Sequence, residues 1–410
     1  MSYTLLNGNN LDLLRAMPDN SVDAVVTDPP YGLGKEPDAL AMLRDWMETG
    51  HHDVKSKKGF MGKTWDNFVP QPAQWKEVYR VLKPGGHVLA FAGTRTQDLM
   101  ALGLRIAGFE IRDLVAWVYG SGFPKSLNLE GEWDGWGTAL KPALEPITLA
   151  RKPIEGTVSD NVLKWHTGAI NVGGCRVAVH ASDKKNYDAN MACHERYADG
   201  REKLGGYEGG WNKDPTAIKN TGARWPANLI HDGSDEVVAL FPVTGPSKAA
   251  PRNNGEFKRV AKGKETAHVT YGHSDAGGSA ARFFYCAKTN STDRNEGCDG
   301  LDDSFIAASN QAQAQLKRGV TEYKAASGTN SIKSVKNNHP TVKPTDLMRY
   351  LCRLITPPEG TVLDPWMGSG STGKACGAEG FNFIGMEMDE KYFTISQARV
   401  SAAYPNEDFC

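Results

Sequence analysis

The chain lacks the segments that mark a membrane or secreted protein. No apolar run approaches the roughly 18–20 residues that cross a bilayer. The first residues, 1–7, carry neither the charged nor the apolar region of a signal peptide. With 410 residues, of which 40% are hydrophobic and 23% charged, the composition is that of a globular protein with one large or two modest domains. We therefore expect a cytoplasmic protein without a membrane partner.

Cysteine pairs and an excess of one charge are also missing. The seven cysteines are odd in number and scattered, and no two of them are spaced C-x-x-C. This pattern argues against a disulfide framework and against zinc, so we expect reduced thiols and no metal site. The formal net charge of −1 gives no overall basic signature for nucleic acid, which leaves local basic patches as the relevant signal.

What the chain does contain is the segment Asp28-Pro29-Pro30-Tyr31, directly after the apolar residues 21–27, which predict a short buried strand. Each proline fixes its own φ, lacks an N–H and restricts the residue before it. The strand therefore ends in a rigid tip that presents a carboxylate, a carbonyl and an aromatic ring. These groups suit a flat molecule with an exocyclic amine; a plain turn at a strand end is the alternative interpretation.

Three parts of the chain alternate strands and helices: residues 4–35, 71–119 and 339–403. Such alternation predicts a mainly parallel sheet. Residues 36–70 are polar and irregular, and we expect a loop beside the Asp28 tip. In the second part, a turn over 83–86 is predicted to separate a helix from the next strand, which begins at His87.

Residues 121–338 have a different texture, rich in Gly, Asn and Ser, with 28 Lys and Arg against 25 Asp and Glu. Basic residues concentrate between positions 248 and 264. Lysines and arginines spaced by glycine are suited to follow a phosphate backbone, and a solvated loop is the equal alternative.

A second constellation runs from Asp364 to Thr372, where a predicted strand enters a Gly-Ser-Gly turn and then a helix. Such a strand–turn–helix unit binds nucleoside-containing cofactors at the carboxyl end of a sheet. The next predicted strand ends at Glu387, where an acid suits the two ribose hydroxyls. The turn matches neither the dinucleotide fingerprint nor the P-loop. A cofactor with a ribose and an amino-acid tail, S-adenosylmethionine, fits this pattern.

Taken together, these motifs resemble the β-type DNA amino-methyltransferases, which methylate adenine N6 or cytosine N4. That family places its catalytic tetrapeptide first, then a target-recognition insertion, H-P-T-x-K-P, D-P-F-x-G-S-G-T-T and a strand ending in Glu. The matching parts here are Asp28–Tyr31, 121–338, His339–Pro344, Asp364–Thr372 and Ile384–Glu387.

The departures from the family pattern are small. Trp366 stands for the usual Phe, Ser371 stands for Thr, and Asn9 stands where the family has an Asp that contacts the cofactor adenine. Within the insertion, residues 122–126 and 141–142 resemble pieces seen in phage-like members.

The resemblance implies a Rossmann-like class I methyltransferase with a doubly wound, mainly parallel sheet, circularly permuted, and an inserted irregular target-recognition domain. Residues 1–120 would form the catalytic half, 121–338 the target-recognition insertion and 339–410 the cofactor-binding half. Double-stranded DNA is the implied partner, in a bacterial or phage-encoded protein. Whether the chain forms a homodimer or works with a separate restriction enzyme stays open.

The resemblance also implies roles for individual residues. The catalytic residues are Asp28, Pro29, Pro30 and Tyr31. The cofactor-binding residues are Asn9, Asp28, His339, Thr341, Lys343, Asp364, Trp366, Gly368, Ser369, Gly370, Thr372 and Glu387. The basic residues expected to contact DNA are Lys125, Lys248, Arg252, Lys258, Arg259, Lys262 and Lys264.

Chemistry narrows the expected reaction. The amine of adenine or cytosine is a poor nucleophile, and the Asp28 carboxylate with the Pro29 carbonyl would each accept one of its N–H groups while Tyr31 stacks on a base taken out of the duplex. Asp at position 28, rather than Ser, resembles the adenine-N6 enzymes. Methylation of cytosine N4, or of a protein or RNA amine, is the alternative. Methylation of cytosine carbon is disfavoured because it needs a Pro-Cys pair, which the chain lacks.

Overall fold

The computed structural model describes eleven stretches of the chain: residues 1–34, 37–54, 66–122, 126–178, 223–246, 251–253, 269–271, 277–287, 292–307, 310–323 and 332–404.

The helices of these stretches are α1 Asn10–Arg15, α2 Ala39–Glu48, α3 Pro72–Val81, α4 Gln97–Ala107, α5 Val158–Trp165, α6 Asp235–Val238, α7 Asn310–Lys317, α8 Thr345–Ile355, α9 Ser371–Glu379 and α10 Glu390–Ser401. Short 3₁₀ turns lie at Gly131–Trp133 and Ala280–Phe283.

The strands are β1 Tyr3–Asn7, β2 Val22–Thr27, β3 Leu82–Phe91, β4 Glu110–Val118, β5 Leu144–Arg151, β6 Val177–Ala178, β7 Ala223–Arg224, β8 Leu229–His231, β9 Val243–Thr244, β10 Pro251–Asn253, β11 Val269–Tyr271, β12 Gly278–Ser279, β13 Tyr285–Cys286, β14 Ser304–Ala307, β15 Ile332–Val335, β16 Thr361–Asp364 and β17 Asn382–Glu387.

One sheet organises the fold, with the strand order β1-β17-β16-β2-β3-β5-β4-β8-β13. The pairs from β1 through β3 are parallel, β5 runs antiparallel between β3 and β4, and β8 is parallel to β4. The last strands of the chain thus lie between the first two, which joins the two predicted halves in one sheet. The predicted Rossmann-like α/β fold with a mostly parallel sheet is confirmed.

The described chain divides into two compact units. The first, residues 1–175, 228–232 and 286–410, contains the sheet and most of the helices. The second, residues 176–227 and 233–285, contains short antiparallel pairs, β6 with β7, β9 with β12 and β10 with β11. The predicted domain boundaries at residues 120 and 338 stay a prediction, and within that range β5 and β8 pair into the large sheet.

Buried apolar strands fix the core of the first unit. All six residues of β2 are buried, as expected for a strand covered on both faces of a parallel sheet. Helix α8 has its apolar positions three and four residues apart and buries Leu347, Leu351 and Leu354. Helices α1, α3 and α4 pack together, and so do α8, α9 and α10.

Two local predictions were wrong. Residues 36–70 are not simply a loop, because α2 forms there: Asp38 caps its N-terminus, and Met42 and Trp46, one turn apart, bury their side chains. Residues 83–86 are not a turn before the strand either; β3 begins at Leu82, where Lys83 pairs with Asp23 at 2.6 Å. Among the described helices, none has the length and apolar composition needed to cross a membrane.

Candidate active site

The candidate site lies at the carboxyl edge of the parallel strands. Thr27 ends β2, and its hydroxyl donates to Asp364 Oδ1 at the end of β16 at a distance of 2.6 Å. Asn7 at the end of β1 pairs in register with Glu387 at the end of β17. The two predicted constellations, more than 300 residues apart in sequence, therefore meet at one edge of the sheet, where α/β folds bind their ligands.

Asp28 is held by two side chains from different parts of the chain. The Tyr31 hydroxyl donates to Asp28 Oδ1 at 2.8 Å, and Lys343 Nζ donates to Asp28 Oδ2 at 2.5 Å. The side chain of Asp28 is 17% exposed and that of Lys343 only 6%. The Lys343 ammonium also lies 5.3 Å from the centre of the Tyr31 ring, within cation–π range. Lys343, predicted as a cofactor ligand, is thus placed at the catalytic tetrapeptide.

Glu145 belongs to the same cluster, and sequence reasoning missed it. Its Oε2 accepts from the Tyr31 hydroxyl at 2.9 Å and lies 3.2 Å from Lys343 Nζ. Glu145 is near the start of β5, which is antiparallel, so its first residues reach the edge where β2 ends. Nothing in the sequence around Glu145 points to Asp28; only the antiparallel course of β5 brings them together.

Burial shapes the electrostatics of this cluster. It raises the pKa of Asp28, although the Lys343 ammonium works in the opposite direction. Burial, with the nearby charges of Asp28 and Glu145, also raises the pKa of the Tyr31 hydroxyl well above its usual value, so the phenol keeps its proton. For Lys343, burial opposes the charge, but Asp28 and Glu145 outweigh it and raise the pKa.

The backbone of the tip is held as well. The buried carboxylate of Asp66 accepts from the N–H groups of Tyr31 and Gly32 at 2.8 and 3.1 Å. The Thr96 hydroxyl donates to the Tyr31 carbonyl at 2.6 Å. Pro29 is buried, so the tip has little freedom to move. Asp66 lies in the segment predicted as a polar loop, which therefore supports the site.

The turn between β16 and α9 is built around a buried carboxyl. Asp364 accepts from the hydroxyls of Thr27 and Thr372, both at 2.6 Å, and from the N–H of Trp366. Burial raises its pKa to about 6 despite these donors. Asp364 thus ties the turn to β2 instead of facing outward as a free ligand.

Two glycines allow the turn its shape. Gly368 has φ +54° and Gly370 φ +78°, a region that residues with a Cβ seldom adopt. A Cβ on Gly368 would lie 2.9 Å from Nε2 of His339, so the close packing there also requires glycine.

Glu387 at the end of β17 contacts the same turn. Its two oxygens accept from the backbone N–H groups of Gly368 at 2.9 Å and Asp389 at 2.7 Å. Burial nevertheless raises the pKa of Glu387 to about 7. Each oxygen keeps a second lone pair for another donor.

A buried arginine supports the turn from below, and sequence reasoning missed it. Arg399, on α10 and fully buried, donates to the Ser369 carbonyl at 2.7 Å and to the hydroxyls of Ser369 and Ser371. It also contacts Asp293, which binds Lys374 on α9 at 2.5 Å. Ser369, predicted as a cofactor ligand, is therefore itself buried as part of this scaffold.

The remaining predicted cofactor residues surround the turn in different ways. His339 is buried with its ring edge-on to Tyr392, 4.5 Å between centres, whereas Thr341 is exposed. Trp366 is half-buried and packs on Trp75 at 5.1 Å. Asn9 is exposed and caps α1 by accepting from the N–H of Leu11. Their contact with a cofactor stays a prediction.

The predicted DNA-contacting residues lie almost entirely outside the described stretches. Arg252 is in strand β10, where the backbone pairs with β11. The others fall outside the part of the chain that the structure describes: Lys125, Lys248, Lys258, Arg259, Lys262 and Lys264. Among the described residues, no three His, Cys, Asp or Glu side chains are grouped so as to hold a metal ion.

Comparison with known proteins adds a family. A model of the N6_N4_Mtase family, described as DNA methylase, matches residues 22–398. The type II methyltransferase M.HindIII of Haemophilus influenzae is 26% identical over 198 residues, which are 41% of this chain and 64% of that protein. M.HinfI, also of Haemophilus influenzae, is 33% identical over 96 residues, which are 23% of this chain and 27% of that protein. The chain thus spans less than two thirds of the length of these relatives.

One solved structure is named as a DNA modification methylase from Thermus thermophilus complexed with S-adenosyl-L-methionine. It aligns over 99% of this chain and 98% of its own, with 15% sequence identity and a TM-score of 0.39.

Proposed function

The chain belongs to the N6_N4_Mtase family of DNA methylases, and on that premise we propose that it transfers a methyl group from S-adenosylmethionine to the N6 amine of adenine in double-stranded DNA. The observation that carries the proposal is the meeting of Asp28 with the Asp364–Thr372 turn and Glu387 at one edge of the sheet. A group that orients an amine and a turn shaped for a nucleoside lie side by side.

The residues of the turn fit such a cofactor. Two glycines with positive φ let backbone approach a ligand closely, and Glu387 offers two carboxylate oxygens to the ribose hydroxyls. Asn9, near the end of β1, would contact the adenine, and His339 and Thr341 would lie near the tail. When bound, S-adenosylmethionine supplies a methyl group on a positively charged sulfur.

Asp28 would orient the target amine. The lone pair of that amine is conjugated with the ring, so it needs hydrogen-bond acceptors to raise its electron density. Both oxygens of Asp28 already have a donor, Tyr31 on Oδ1 and Lys343 on Oδ2, and each keeps a lone pair for an amine N–H. The carbonyl of Pro29 would accept the other N–H. Positioning in a buried, charged site carries most of the rate.

Tyr31 would stack on the target base. Extraction of the base from the duplex costs a few kcal/mol, and an aromatic face recovers part of this cost. The Tyr31 ring is held in place by Asp66 and Thr96 at its backbone and by Glu145 at its hydroxyl. The ring is therefore a preorganised platform.

The remaining parts of the proposal concern DNA recognition. Residues 121–338 would read the recognition sequence, and the basic residues Lys125, Lys248, Arg252, Lys258, Arg259, Lys262 and Lys264 would contact phosphates. Adenine is favoured over cytosine because Asp, not Ser, begins the tetrapeptide. The protein would act in the cytoplasm of a bacterial cell.

The test measures transfer from methyl-labelled S-adenosylmethionine to duplex DNA, RNA and protein, followed by mass spectrometry of the DNA nucleosides. The expected product is N6-methyladenine. N4-methylcytosine would correct the base, and label only in RNA or protein would refute the proposal.

Asp28→Ala tests the mechanism. We expect transfer to fall at least 1,000-fold with S-adenosylmethionine binding within about threefold of wild type, because the amine loses its orienting acceptor. Asp113→Ala, which removes an exposed aspartate from β4, is the matched control and should leave transfer unchanged. An active Asp28→Ala variant would contradict the mechanism.

A further inference from the structure

The Tyr31 hydroxyl has two acceptors but only one hydrogen. It lies 2.8 Å from Asp28 Oδ1 and 2.9 Å from Glu145 Oε2, and a phenol donates a single hydrogen bond. With both carboxyl groups ionised, one of these two oxygen–oxygen contacts has no hydrogen. The cluster therefore lacks one proton.

Charge leads to the same conclusion. Asp28 and Glu145 bring two negative charges and Lys343 one positive charge, which contacts both carboxylates at 2.5 and 3.2 Å. The cluster has a net charge of −1, and its side chains are at most 20% exposed. Such a site favours a cation beside it, and one additional proton makes it neutral.

The proposed reaction releases such a proton. When the amine nitrogen forms its bond to the methyl carbon, the carbon–sulfur bond breaks and its electron pair stays on sulfur. The methylated amine is then cationic and must lose one N–H proton. Asp28 is the acceptor nearest to that amine in the proposed function.

Resting on that function, we propose that Glu145 is a positioning residue for methyl transfer that takes up, through the Tyr31 hydroxyl, the proton lost by the target amine. The amine N–H bond breaks and the proton passes to Asp28. Asp28 passes a proton to the Tyr31 oxygen as the Tyr31 hydrogen moves to Glu145, so Tyr31 ends unchanged. In the product state every contact of the cluster has a hydrogen.

Glu145 suits this role by its surroundings. The groups that face it are Tyr31, Lys343 and Tyr119, with Asp28 beyond the phenol. Its side chain is 20% exposed, compared with 17% for Asp28, so the proton can leave to solvent. Lys343 holds both carboxylates at the spacing that the phenol bridges.

Glu145→Gln is the first test, because the amide still accepts a hydrogen bond but cannot take the proton or offset Lys343. We expect the single-turnover rate to fall roughly 100-fold, with the dissociation constant of S-adenosylmethionine and the KM for DNA within twofold. Glu155→Gln is the matched control: Glu155 also pairs with a lysine, at 2.6 Å, but lies beyond the opposite end of β5. It should keep the wild-type rate.

Tyr31→Phe tests the same route and leaves every charge in place, so it carries little risk to folding. It should slow the chemical step, and adding Glu145→Gln to it should cost less than a further threefold, because both variants cut one route. Urea unfolding of the unloaded variants gives a readout apart from activity: the two substitutions should be energetically coupled, as hydrogen-bonded partners are.

The outcomes are distinct. Transfer by wild type with no loss in Glu145→Gln or Tyr31→Phe, or rate losses that multiply in the double variant, would overturn the inference alone. Absence of transfer to DNA by the wild-type protein would instead overturn the proposed function.

Discussion

Lowering the pH from 8 to 6 should weaken the binding of S-adenosylmethionine about tenfold, because Glu387 loses its negative charge over this range. Burial raises the pKa of Glu387 to about 7. The ionised fraction is then about 0.9 at pH 8 and about 0.09 at pH 6, and the ribose hydroxyls are expected to need the ionised form. The tenfold change corresponds to about 1.4 kcal/mol of binding free energy.

Isothermal titration calorimetry at pH 8, 7 and 6, in two buffers with different ionisation heats, measures both affinity and proton release. Binding to the ionised form should release close to one proton at pH 6 and very few at pH 8. Because the amino group of the cofactor itself titrates near pH 8, the nucleoside 5′-methylthioadenosine, which has the ribose but no amino-acid tail, is the matched ligand and should show the same trend.

Two variants check the assignment. Glu390→Gln removes an exposed carboxyl three residues further along and should leave the pH dependence unchanged. Glu387→Gln should bind more weakly at all pH values, because the amide cannot accept from both Gly368 and Asp389, and its affinity should no longer change between pH 8 and 6. A flat wild-type profile, or the same slope in Glu387→Gln, would refute the reasoning.

Two further predictions concern the scaffold of the turn. Arg399→Met removes the buried donor to Ser369 and should lower the free energy of unfolding by about 3 kcal/mol in urea titrations, whereas the exposed Arg318→Met should not; an unchanged midpoint would contradict this role. Asp364→Asn tests pH-dependent stability. The native pKa of Asp364, about 6, is above the unfolded value, so the native state holds the proton more tightly and stability falls as pH rises from about 4 to 6, by up to about 3 kcal/mol. The Asn variant should lose that slope, and a slope that persists would assign it to another group.

Local sequence determined most of the individual elements. The apolar run before Asp28 formed the buried strand β2, and the glycine after Ala107 ended α4 with φ +107°, as expected for a left-handed cap. The Gly-Ser-Gly turn formed between a strand and a helix, because a buried strand and two glycines specify that geometry over a few residues.

Only the tertiary structure decided which side chains surround Asp28. Lys343 was assigned to the cofactor from its motif, yet it binds Asp28, and Glu145 had no motif at all. Strand direction places Glu145 there: β5 runs against its neighbours, so its first residues meet the ends of the parallel strands. The sequence by itself determined the tetrapeptide and the turn, whose shapes depend on neighbouring residues. The charges and hydrogen bonds around them depend on strand order and direction, because long-range contacts follow from how the sheet pairs and not from local pattern.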